Sequence, residues 1–197
     1  MKILFIYPSN DISYPLQIGA LSAHVKQYGH RTKLVCLLVK DKLLKDHYSQ
    51  FKNEIENFKP DFVGFSCYET AFPWIKEITS YIKTKWPKIK TVVGGYYPTL
   101  CPQDVTSHPA IDVICRGEGE GALKELMHNP QSIAIKNMWF RKGEKIIKNP
   151  IRPLMENLDK LPFPDKEMFD YQEHLNITEK KGERMVKIMA SRGCPFE

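Results

Sequence analysis

At 197 residues, with 42% hydrophobic and 26% charged side chains, the chain holds enough apolar material for one full domain and an appendage. Its formal charge of +6 is spread over helix faces and turns, with no arginine-rich block or aromatic-interleaved stripe, which argues against a nucleic-acid partner. No stretch reaches the roughly 20 apolar residues of a membrane span, and no small-residue cleavage site follows the apolar start MKILFIYPSN. The five cysteines are odd in number, scattered and without a CxxC pair, so a reduced cytoplasmic protein is expected, with neither a disulfide framework nor a zinc site.

Along the first 130 residues short apolar runs alternate with helical periodicity. Lys2–Tyr7, Lys33–Val39, Asp61–Ser66, Thr91–Gly94 and Asp112–Cys115 are near-continuous apolar runs, as suits strands covered on both faces. Between them, Ile18, Leu21, Val25 and Tyr28 repeat at helical spacing and stop at Gly29. Leu44, Tyr48, Phe51, Ile55 and Phe58 do the same up to Pro60, Ile75, Ile78 and Ile82 up to Trp86-Pro87, and Leu123, Leu126 and Met127 start a further helix. Such β–α units with right-handed crossovers predict a doubly wound α/β fold: a flavodoxin-like, five-stranded parallel sheet in the order 2-1-3-4-5 over residues 1–130.

After residue 130 the pattern changes. Residues 131–150 contain two alternating arms around Arg141-Lys142-Gly143-Glu144, which reads as a β-hairpin extension. Residues 151–183 are proline-punctuated and read as an extended linker that drapes over the domain. Residues 184–197 read as the first strand of a further domain, ending in SRGCPFE.

Open α/β sheets bind ligands beyond the carboxyl ends of their strands. Those ends are PSNDISYPLQ, SCYETAFP, GGYYPTL and RGEGEG. Gly94-Gly95 either lets a ligand lie against bare backbone or makes a tight turn, and Ser66 either bonds a ligand or caps the next segment. Glu118 and Glu120 open a helix, where acidic side chains suit the dipole regardless of any ligand. Cys67 has no neighbouring histidine to activate it, and His24 and His30 are six apart, off one helical face. With no carboxylate pair or Ser–His–Asp arrangement, the loops describe a binding crevice without catalytic residues of its own.

Taken in order, PLQIGALSAHVKQYGH, DFVGFSCYETAF, VVGGYYPTLCPQDV, DVICRGEGEGALKEL, LDKLPFPD and SRGCPFE resemble the N-terminal cobalamin-binding domain of cobalamin-dependent radical S-adenosylmethionine enzymes, the anaerobic magnesium-protoporphyrin monomethyl ester cyclase-like family. The resemblance implies a nucleotide tail between sheet and helices, with Ser66, Gly94 and Gly95 lining its slot. It implies a corrin ring surrounded by Asp11, Ser13, Tyr14 and Pro15, by Cys67, Tyr68, Glu69 and Thr70, by Tyr96, Tyr97, Pro98 and Thr99, and by Arg116, Gly117, Glu118, Gly119 and Glu120. Ser13 stands where cobalt-ligating relatives carry histidine, so cobalamin bound base-off without a histidine ligand is expected.

Cys194 matches the first cysteine of the family's Cys-x-x-x-Cys-x-x-Cys motif, whose three thiolates hold a 4Fe-4S cluster that binds S-adenosylmethionine. The resemblance thus implies a fragment of a parent enzyme that performs methyl transfer or ring-forming chemistry on an unactivated carbon, partnered by a radical domain and inactive alone. A free-standing corrinoid carrier and a flavodoxin-like flavin or nucleotide module are the competing expectations.

Overall fold

The computed structural model describes residues 1–10, 14–39, 47–170, 172, 175, 176, 188, 189, 191 and 192. Five parallel strands, β1 (Lys2–Ser9), β2 (Arg31–Leu38), β3 (Phe62–Ser66), β4 (Lys90–Gly94) and β5 (Val113–Cys115), stand in the expected order 2-1-3-4-5. The expected five-stranded sheet needs one correction: it has seven strands. The hairpin strands β6 (Met138–Lys142) and β7 (Lys145–Lys148) continue it beyond β5, with β6 antiparallel to β5 through Val113–Phe140 and Ile114–Trp139 pairs.

The reason lies in the pleat. Met138 and Phe140 face one side of the sheet and Trp139 the other, and all three are buried, so β6 fits only where both faces are covered. Pairing also covers the three-residue β5, which would otherwise present a bare edge. Gly143, at φ 61°, supplies the positive φ that a two-residue hairpin turn matched to strand twist requires.

Helices cover both faces. On one side α2 (Tyr48–Phe58) and α3 (Phe72–Lys85) pack Phe51, Ile55, Ile75, Ile78 and Ile82 against Leu4, Ile6, Val63 and Phe65. On the other, α1 (Leu16–Lys26) and α6 (Glu120–His128) bring Ile18, Val25, Leu123 and Leu126 onto Ile3, Phe5, Phe62 and Val92. The alternation along β1, odd residues to one layer and even residues to the other, follows from the two-residue strand period. Leu44, expected in the second helix, lies outside the described residues.

Two short helices, α4 (Tyr96–Leu100) and α5 (Pro102–Ser107), occupy a stretch read from sequence as loop. Five or six residues are too few to show a helical period. Residues 151–170 run extended over the domain with 3-10 turns at Leu158–Lys160 and Lys166–Met168. Apart from four residues, the expected strand and cysteine segment at 184–197 falls outside the described residues.

Candidate functional site

The carboxyl ends of β3, β4 and β5 open onto a cavity of about 760 Å³ between the sheet and the α1–α6 layer. Its sheet wall is Ile3, Phe5, Gly64 and Val92, with Met138 from the hairpin; α1 adds Leu16, Gln17 and Leu21, and α6 adds Leu123. Gln17 and Leu21 are four apart and so share one helix face. Around the mouth stand Ser66, Tyr68, Gly94, Gly95, Tyr96, Thr99 and Gly117 to Glu120, joined by Leu154, Met155, Met189, Ser191 and Arg192 from downstream. The result is an apolar slot with a polar rim, the usual make-up of a cofactor site.

The two glycines after β4 have different causes. Gly95 sits at φ 108°, and a Cβ there would lie 2.9 Å from the backbone N and O of Cys67, so the fold itself demands glycine. At Gly94 a Cβ would meet only Cys115, its Cβ at 3.5 Å and its carbonyl oxygen at 3.8 Å, both ordinary contacts. The protein would accept a methyl group at 94, and glycine there keeps the cavity wall clear for something else. Gly119 is a third case: its Cβ would come 3.0 Å from Leu21 Cδ2, so it lets α1 and the start of α6 approach closely.

Hydrogen bonds hold the rim loops to one another. Gln17 Nε2 donates to Ser66 Oγ at 3.3 Å and reaches the Tyr68 hydroxyl at 3.5 Å, linking α1 to the loop after β3. Thr99 Oγ1 donates to the Gly95 carbonyl (2.7 Å) and accepts from Gly117 N–H (2.9 Å), linking the loops after β4 and β5. The 116–120 loop is braced from behind by Asn137, buried at φ 72°. Its amide donates to the Glu118 carbonyl (2.7 Å), its side-chain oxygen accepts from Arg152 N–H (2.7 Å), and its own carbonyl accepts from Arg116 N–H (2.8 Å). Glu118 Oε2 accepts from Met155 N–H at 2.8 Å. Arg192 places Nη2 2.6 Å from Glu120 Oε1 and Nη1 3.6 Å from Glu118 Oε1.

Of the residues singled out from sequence, Ser66, Tyr68, Gly94, Gly95, Tyr96, Thr99, Gly117, Glu118, Gly119 and Glu120 gather around the cavity. Others sit beside it. Tyr14 is buried, and its hydroxyl donates to the Asp165 carbonyl at 3.0 Å. Pro15 offers its carbonyl to the first N–H groups of α1. Cys67 is buried with its thiol pushed up to about 12 by desolvation, then by Asp104, which leaves no nucleophilic thiolate near neutral pH. Tyr97 packs on Phe72 and donates to Asp104, Pro98 is buried, and Arg116 lies 4.8 Å over the Trp139 ring. Glu69 is exposed in a 3-10 turn, and Thr70 borders a smaller cavity with Tyr7 and Trp74. Asp11, Ser13 and Cys194 lie outside the described residues.

Sequence reading missed Gln17 and Leu21, whose shared helix face was the available signal, and the wall residues Ile3, Phe5 and Val92, which look like any core. It also missed Met155 and Arg192, which reach the rim from far along the chain without any local pattern. Among the described residues no imidazole lines the cavity.

Comparison with known proteins agrees with this geometry. The family model described as the B12 binding domain matches residues 6–127, from within β1 to the end of α6. Over its whole length the chain is 27% identical to an uncharacterized methyltransferase of Pyrococcus horikoshii and 27% identical to the anaerobic magnesium-protoporphyrin IX monomethyl ester cyclase of Rubrivivax gelatinosus. It spans only 44% and 37% of those two relatives. The cobalamin-dependent S-adenosylmethionine radical enzyme OxsB, solved with aqua-cobalamin and S-adenosylmethionine bound, shares the fold over 83% of this chain and 24% of its own (TM-score 0.62, 19% identity). With a family model covering well over half of its residues, including most of the loops around the slot, the chain belongs to the B12 binding domain family.

Proposed function

We propose that the chain binds cobalamin base-off, with the nucleotide tail in the slot between the sheet and the α1–α6 layer and the corrin over the rim loops. The observation that carries this reading is the bare backbone at Gly94, a position the protein's own packing leaves free to hold a side chain, opening into an apolar slot of about 760 Å³. The walls Ile3, Phe5, Val92 and Leu123 suit an aromatic base stripped of water, and Ser66 and Gln17 offer polar contacts beside it. Tyr68 and Tyr96 at the mouth would present hydroxyls and ring faces to the corrin and its amide arms. Ser13 stands where the resemblance would put a histidine, and among the described residues no imidazole lines the cavity; both support binding without a histidine ligand.

Bound cobalamin supplies a cobalt centre for alkyl transfer. The chain's own residues would hold it in place and exclude water from the tail. The wider reading rests on the longer relatives. A cytoplasmic parent enzyme would pair this module with a radical S-adenosylmethionine domain, Cys194 serving as the first ligand of its 4Fe-4S cluster, and would carry out methyl transfer or ring formation at an unactivated carbon.

The test is direct. The purified protein is incubated with hydroxocobalamin or with FMN, desalted, and its visible spectrum recorded. Retained corrin bands are expected; retained flavin without corrin overturns the reading. In the cob(II)alamin state, EPR without nitrogen superhyperfine splitting supports base-off binding, and its presence refutes it.

A further inference from the structure

We propose that Glu118 and Glu120 form a carboxylate clamp on Arg192, and that this clamp fixes the segment of Met189, Ser191 and Arg192 at the edge of the crevice. The proposal uses the cobalamin reading only for what the crevice holds; the clamp is a property of the chain itself.

Glu120 opens α6, and its side chain is 5% exposed. A carboxylate so far from water is tolerated only with a close charged partner. Arg192, from 72 positions further along, supplies one at 2.6 Å. The same guanidinium lies 3.6 Å from Glu118, whose second oxygen is engaged by Met155 N–H. A planar guanidinium presents donors in two directions and can address both carboxylates, which a single ammonium point charge does less well. Two acidic side chains two residues apart at a part-buried helix start would repel each other without that cation.

The clamp has a rigid base. Asn137 holds the 116–120 loop from behind, and Thr99 holds it to the loop after β4. Its other side is short. Met189, Ser191 and Arg192 border the same cavity as Ser66 and Gly94. An anchored Arg192 therefore keeps its own segment beside the cavity mouth. The acidic pair of RGEGE thus acts on the protein's downstream segment as a positioning device.

Hydrogen exchange of the full chain, followed by mass spectrometry over residues 188–192, tests this. Arg192→Gln is expected to speed exchange of that segment by about ten-fold or more, as loss of a charge-assisted bond predicts. Glu120→Gln should do the same, and Arg192→Lys should restore part of the protection. The melting temperature of Arg192→Gln should fall, because Glu120 stays buried and loses its cation, and cobalamin retention is recorded beside the exchange. Equal exchange in the unsubstituted chain and Arg192→Gln overturns the clamp. So does Arg192→Gln losing cobalamin with exchange unchanged, which would make Arg192 a ligand group. Protection that responds as described in a chain that retains no cobalamin supports the clamp and refutes only the cofactor reading.

Discussion

Ser22 on α1 donates its hydroxyl to the Asp165 carboxylate at 2.5 Å, across 143 positions of sequence. Around that bond Lys26 Nζ lies 2.6 Å from the same carboxylate, Asp165 N–H donates to the Gly19 carbonyl, and the Tyr14 hydroxyl donates to the Asp165 carbonyl. A segment that looks like slack linker is therefore pinned to the outer face of the helix that roofs the slot. Burial alone would push the Asp165 carboxyl up, but the hydrogen bonds from Lys26 and Ser22 outweigh it and hold the group below its ordinary range.

Asp165→Asn should destabilise the fold by about 1–3 kcal/mol at pH 7, since it removes the charge and leaves Lys26 and Ser22 with a poorer partner. The sign of the pH effect comes from the lowered value. The folded state binds this proton less readily than the unfolded chain, so the contribution is complete above the unfolded carboxyl value. It fades as pH falls below about 4 through the folded one. Urea unfolding at pH 7 and pH 3 checks it: the gap between the two proteins should narrow at pH 3, and a constant gap contradicts the assignment.

Gly94→Ala and Gly95→Ala should part company. At 95 the methyl group would collide with Cys67 backbone and the residue would be held at φ 108°, so Gly95→Ala should cost about 2 kcal/mol or more or prevent folding. At 94 the methyl group finds space within the protein, so the melting temperature should hold while cobalamin retention falls by about ten-fold through lost contact along the slot. Thermal melts beside hydroxocobalamin titrations separate the two effects. A Gly94→Ala protein that binds normally argues against the tail lying there.

The three buried or half-buried thiols should be silent. Burial pushes Cys36, Cys67 and Cys115 each up to about 12, whereas Cys101 is exposed. At pH 8 only about one such buried thiol in ten thousand is a thiolate. Ellman's reagent and then peptide mapping should find Cys101 modified well before Cys36, Cys67 and Cys115, which react only on unfolding. Early modification of Cys67 would reopen a nucleophilic role for it.

The parallel sheet was legible because its strands are near-continuous apolar runs, and Ser66 and Gly94 were legible because they stand where those runs end. The hairpin was legible as a hairpin but not as part of the sheet, since pairing with β5 depends on which faces are already covered. The least legible part was the bracing of the crevice by residues far downstream of its loops. Asn137, Met155, Asp165 and Arg192 act through contacts 19 to 143 positions away, and no local spacing announces them. Asp165 read as one acid in a proline-rich stretch, and only its burial against Ser22 shows its weight.

Asn137 offers the sharpest test of that bracing. It stands at φ 72°, where asparagine and glycine are tolerated and branched residues are not, and its side chain joins the Glu118 carbonyl to Arg152 N–H. Asn137→Gly keeps the backbone geometry and deletes both bonds; it should cost about 1–3 kcal/mol, chiefly from the orphaned Glu118 carbonyl and Arg152 amide. Asn137→Val also forces a β-branched residue to positive φ and should cost about 1–3 kcal/mol more. Chemical denaturation of the pair separates side-chain bonding from backbone strain. If the 116–120 loop borders the cofactor as proposed, Asn137→Gly should also weaken cobalamin retention under conditions where it remains folded. Full retention with lowered stability would show that the loop's exact placement does not matter for binding, and would confine Asn137 to holding the linker against the sheet.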